Sequence, residues 1–115
     1  MPSDPSMQHL STAAELDAAL GPGEALLLKH GGTCPISASA RVAVQEFQRT
    51  HPEVPVYAVE VTRHRALSDA IAERMGVAHE SPQLFLLRDG RPVWHATHFA
   101  ITPAAIAERR STERG

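Results

Sequence analysis

A second cysteine is missing. The chain has one, Cys34, among 115 residues, so no intramolecular disulfide can staple the fold and a hydrophobic core must hold it. At this length one domain is expected, burying about two-thirds of its unfolded surface. Long apolar runs are missing too, and none approaches the roughly 20 residues that cross a bilayer. Met1-Pro2-Ser3-Asp4-Pro5 has neither the basic start nor the apolar stretch of a secretory signal, so a reducing cytoplasm is the expected setting. Charge of one sign is not in excess. Eleven Lys+Arg stand against 13 Asp+Glu, for a net charge of −2, and the signs are interspersed, which argues against nucleic acid or membrane as partner. Aromatic residues are scarce, with one Trp, one Tyr and three Phe, which removes the stacking platform that single-stranded nucleic acid would use.

What is present centres on Lys29-His30-Gly31-Gly32-Thr33-Cys34-Pro35-Ile36-Ser37. The run Ala25-Leu26-Leu27-Leu28 reads as a strand buried on both faces. Ile36, Ala40, Val44 and Phe47 then recur at helical spacing. Cys34 therefore falls at the start of a helix, with Pro35 suited to the first helical position because its missing N–H would have had no partner there. Unpaired N–H donors and the positive end of the helix dipole favour thiolate over thiol, lowering the pKa from the free value of about 8.5. A lone cysteine is often a small buried hydrophobe. The surrounding Gly31, Gly32, Thr33 and Pro35 belong to an exposed turn, however, which favours a reactive Cys34.

Taken in order, residues 1–9 read as a flexible tail, 10–110 as the folded domain and 111–115 as a second tail. Thr12-Ala13-Ala14-Glu15 fits a capping box, and Gly21-Pro22-Gly23 ends that short helix. The strand from about Ala25 to His30 follows, then the Cys34 loop and a helix to about Arg49. His51-Pro52 breaks it, and Val54 to Val61 is rich in β-branched residues. That succession is a βαβ unit with parallel strands and a right-handed crossover. Another helix runs from about Arg65 to Met75, stopped by Gly76. Two apolar runs flank Arg88-Asp89-Gly90-Arg91, where Asp-Gly signals a hairpin, and Thr102-Pro103 opens a terminal helix. The expected fold class is α/β and thioredoxin-like: a four-stranded mixed sheet with helices on both faces. In such open sheets ligands gather at the carboxyl ends of strands, where the Cys34 loop lies.

With strand, Thr33-Cys34-Pro35-Ile36-Ser37 and helix assembled, the sequence resembles the thioredoxin superfamily from about Leu10 to Arg110. Within it the similarity is to the monothiol bacilliredoxins, on Lys29-His30, on the Cys34 motif and on a strand-leading Ser81-Pro82. The resemblance implies a cytoplasmic thiol-disulfide oxidoreductase acting on S-bacillithiolated proteins, with bacillithiol as small-thiol co-substrate and no tightly bound cofactor. It implies Cys34 as the attacking thiol and Ser37 in the place of a second cysteine, so no internal disulfide can release substrate. It also implies a cis peptide at Pro82, with the backbone of Ser81 placed to pair with a substrate chain. A monomer is expected, which oxidation could link through Cys34 to Cys34.

Thr33, Pro35, Ser37, Lys29 and His30 are the candidates for supporting the thiolate. Ser37 could donate its hydroxyl to sulfur or merely satisfy backbone at the helix start. Thr33 could cap the helix. Lys29 or His30 could bring positive charge, or face water. Seven histidines raise the question of a metal, but on a strand the spacing of His95 and His98 sends the rings to opposite faces and no second cysteine joins them, so no metal site is expected. Two rival readings stand beside thiol exchange. One is an iron–sulfur carrier like the monothiol glutaredoxins, whose motif has Gly-Phe where this chain has Pro35-Ile36. The other is a binding module with an inert Cys34.

Overall fold

The computed structural model describes residues 7–32 and 34–114. Strands β1 (Met7–His9), β2 (Glu24–His30), β3 (Val56–Glu60), β4 (Gln83–Arg88) and β5 (Arg91–Thr97) form one sheet in the order β1-β3-β2-β4-β5. Helices α1 (Ala13–Ala19), α2 (Pro35–Thr50), α3 (Arg65–Met75) and α4 (Pro103–Arg114) cover it. β1 and β2 run parallel to β3, while β4 is antiparallel to both β2 and β5.

Strand β2 lies in the middle, which explains its unbroken apolar run. Leu26 and Leu28 pack in one cluster with Ala40, Val44 and Phe47 of α2 and Ile106 of α4. Leu27 packs in the other, with Leu16 of α1 and Leu67 and Ile71 of α3. Alternation along the strand thus feeds two cores, one on each face, and each fully buried leucine is worth roughly 1.5–3 kcal/mol. The local signals are met as well. Thr12 and Glu15 form the capping box of α1, Gly76 ends α3 in the left-handed conformation, and Thr102 Oγ1 accepts the Ala105 N–H at 3.1 Å at the start of α4. Asp89 and Gly90 turn the β4–β5 hairpin with φ of 54° and 79°, the positive values that a two-residue turn between twisted strands requires.

The sheet has five strands where the sequence implied four. Met7-Gln8-His9, read as the end of a flexible tail, form the edge strand β1 against Val56-Tyr57-Ala58. Met7 is buried in the α2 core and Leu10 in the α1/α3 core, so the segment is tied down from both faces. Three residues with a single core-facing side chain are too short to display a period of two. At the other end α4 continues to Arg114, through residues whose sequence reads as a tail. Met1 to Ser6 and Gly115 lie outside the described residues.

Candidate functional site

Cys34 is the N-cap residue of α2, with extended φ and ψ of −76° and 126°, and Pro35 occupies the first helical turn. The thiol is half-buried and free. The Ser37 and Ile36 N–H groups, then the Ser37 hydroxyl, hold it below the ordinary cysteine value, and partial burial opposes them only in part. Orphan donors at the start of a helix are what the placement of Cys34 predicts.

Ser37 is fully buried, and its Oγ accepts the Gly31 N–H at 2.9 Å. The hydroxyl proton is then free to point at sulfur, so one side chain ties the loop and supports the thiolate. Gly31 lies at the heart of the site: a methyl there would stand 3.7 Å from Cys34 Cβ, 3.7 Å from Ser37 Oγ and 3.8 Å from Ser81 Oγ. These distances bring Cys34, Ser37 and Ser81 together around one glycine. The Ser81-Pro82 peptide is cis. The Pro82 carbonyl accepts the His98 N–H at 3.1 Å, which joins the approach to β4 to the 3₁₀ turn (His98–Ala100) after β5.

The two basic candidates are both buried rather than facing water. Neighbours on a strand point to opposite faces, and Lys29 extends away from the α2 side to donate to the Ser68 carbonyl of α3 at 3.4 Å. It is fully buried, and burial lowers its pKa, against the pull of Asp69. His30 is on the α2 side, but burial, then Arg41, then His9 push its pKa down to about 4. Its ring is therefore neutral at physiological pH and brings no positive charge to the thiol. Thr33 lies outside the described residues.

Two residues emerge that no motif marked. Arg41, two turns into α2, donates through Nη1 to the Gly31 carbonyl at 3.3 Å and to His30 Nδ1 at 3.1 Å. Glu60, at the end of β3, accepts from the Thr62 hydroxyl and the Arg63 N–H. The Thr62 hydroxyl, the Arg63 N–H and then the Gly32 N–H hold its carboxyl below the usual range. The loop is thus anchored to α2 through Gly31 and to β3 through Gly32. Arg41 could have been suspected from its helical phase beside Val44 and Phe47; Glu60 gave no sequence signal beyond ending a strand.

Comparison with known proteins places this geometry. Residues 7–106 match the family model described as monothiol bacilliredoxin BrxC. A solved structure described as a candidate oxidoreductase with a thioredoxin fold is 32% identical, covers 92% of this chain and 95% of its own length, and superposes with a TM-score of 0.87. A thioredoxin from Trypanosoma brucei brucei is 10% identical, covers 98% of this chain and 96% of its own, and has a TM-score of 0.79. A thioredoxin variant from Halobacterium salinarum is 18% identical, covers 97% and 94%, and has a TM-score of 0.76. At those identities the two thioredoxins speak for the fold alone. Among the described residues no helix is long and apolar enough to cross a membrane.

Proposed function

This chain belongs to the monothiol bacilliredoxin family, and from that premise we propose that it exchanges bacillithiol on and off protein cysteines through Cys34, in a reducing cytoplasm. The Cys34 thiolate attacks the bacillithiol sulfur of a modified protein; the old S–S bond breaks, the electron pair leaves with the protein thiolate, and bacillithiol is now disulfide-bonded to Cys34. A second bacillithiol thiolate attacks that disulfide, restores Cys34 and departs as oxidised bacillithiol. Neither step needs a second cysteine. Ser37 supports the thiolate, Pro35 starts the helix that presents it, and the Ser81 backbone, joined to Pro82 by a cis peptide, receives the substrate chain.

The observation that carries this reading is the position of Cys34 at the α2 N-terminus, half-exposed and favoured as thiolate by two N–H groups and a hydroxyl. The test follows release of bacillithiol from a modified protein by the native chain and by Cys34→Ala. Release by the native chain alone is expected. Equal rates from the two proteins would overturn the proposal.

A further inference from the structure

We infer that a cavity at the carboxyl ends of β1, β2 and β3 binds a carboxylate carried by the small thiol that Cys34 exchanges; this rests on the exchange reading above. The three parallel strands end on His9, His30 and Glu60, with His9 opposite Ala58 and His30 opposite Glu60. All three residues line a cavity of about 310 Å³ together with Ser11, Arg63 and His64. Its size is that of a small-molecule site, at the end of the sheet where such sites form.

The unexplained group in it is His30. The residue is 4% exposed, and its Nδ1 faces the Arg41 guanidinium. Arg41 can only donate, so Nδ1 accepts and the ring proton sits on Nε2. That buried Nε2 has no partner among the described residues. A buried donor without an acceptor is rare in a folded protein, and an oxygen brought into the cavity that His30 lines would supply one. Negative charge on that oxygen is favoured. Arg41 draws electron density from the far side of the ring and strengthens the Nε2–H donor, and Arg63 is among the residues lining the cavity. Among the described lining residues Glu60 is the one opposing charge, and its oxygens already accept from Thr62, Arg63 and Gly32.

The cavity is also within reach of the thiol. The Gly32 N–H donates to the Glu60 carboxylate, and a methyl at Gly31 would stand 3.7 Å from Cys34 Cβ. Two peptide steps from Gly32 to Cys34 span at most about 7 Å. A chain of a few atoms disulfide-bonded to Cys34 can bridge that distance.

Two measurements on the full chain test this. In the first, succinate is titrated while the imidazole and backbone NMR signals are followed. Saturable shifts at His30, His9 and Ser11 are expected, with affinity falling about fivefold in the surface variant Arg63→Ala, the loss of one exposed charge contact. In the second, exchange with dithiodibutyrate is compared with exchange with the matching hydroxybutyl disulfide. The native chain should prefer the carboxylate, and Arg63→Ala should lose that preference. No shift at His30 and no preference, with exchange intact, overturns the subsite. Shifts with succinate but no exchange with either disulfide would uphold the subsite and sink the exchange reading instead.

Discussion

Ser37 Oγ accepts the Gly31 N–H at 2.9 Å, closing the end of β2 onto the first turn of α2 across the loop that carries Cys34. A cysteine in that position would offer only a weak acceptor for the same N–H. The serine therefore fixes the loop as well as removing the second thiol.

Replacing Ser37 with alanine takes away both the Gly31 acceptor and a donor to sulfur. The loss of a buried hydrogen bond should cost about 1–2 kcal/mol in denaturant unfolding. The pH midpoint of Cys34 alkylation by iodoacetamide should rise in Ser37→Ala, because the neutral thiol gains relative to the thiolate. The sign carries over to folding. A thiol whose folded pKa is depressed stabilises the fold above the unfolded pKa, and that contribution is lost as pH falls through the folded value. An unchanged alkylation midpoint would mean that the hydroxyl does not act on sulfur.

The adjacent glycines should respond differently to the same substitution. A methyl at Gly31 meets its neighbours at 3.7 Å or more, ordinary contact, whereas at Gly32 it would stand 2.7 Å from Glu60 Oε2. The Glu60 carboxylate cannot swing aside freely, since Thr62 and Arg63 hold it. Gly31→Ala is expected to change stability by under about 0.5 kcal/mol, and Gly32→Ala to cost about 1–3 kcal/mol as an overpacked site. Adding Glu60→Ala to Gly32→Ala should recover part of that loss, as a double-mutant cycle of unfolding free energies would read out.

The neutral His30 makes stability fall with acidity. Above pH 6.5 the ring is uncharged in both folded and unfolded chains, so it contributes no pH dependence. Between 6.5 and the folded value of about 4 only the unfolded chain takes up the proton, so folding weakens as pH drops and levels off below it. At about 1.4 kcal/mol per pH unit the gap is worth up to about 3 kcal/mol. Unfolding measured from pH 7 to 4 should show that slope in the native chain and a shallower one in His30→Asn.

Much of the fold was legible because its signals are local. A capping box at Thr12 and Glu15, a glycine stop at Gly76, Asp89-Gly90 between apolar runs and a leucine run buried on both sides each specify an element without reference to the rest of the chain. The edge strand β1 was not legible. Met7 alone turns inward to the α2 core, and it earns its place only once β3 lies beside it. In the site, proline and glycine spacing located Cys34 at the head of a helix, and the place of Ser37 within the motif marked it as a candidate. Strand alternation could have warned that Lys29 and His30 cannot both face the thiol. The partnerships of Arg41 with Gly31 and of Glu60 with Gly32 span 10 and 28 positions, and no sequence period encodes them.

The central claim is that one sulfur, Cys34, is favoured as thiolate and reachable in the folded chain. Its most direct test is the intact mass of the native chain and of Cys34→Ser after exposure to oxidised bacillithiol at pH 7. The account predicts a single bacillithiol adduct on the folded native chain and none on the variant. A native chain that stays unmodified while folded, yet takes up the adduct once denatured, would contradict it.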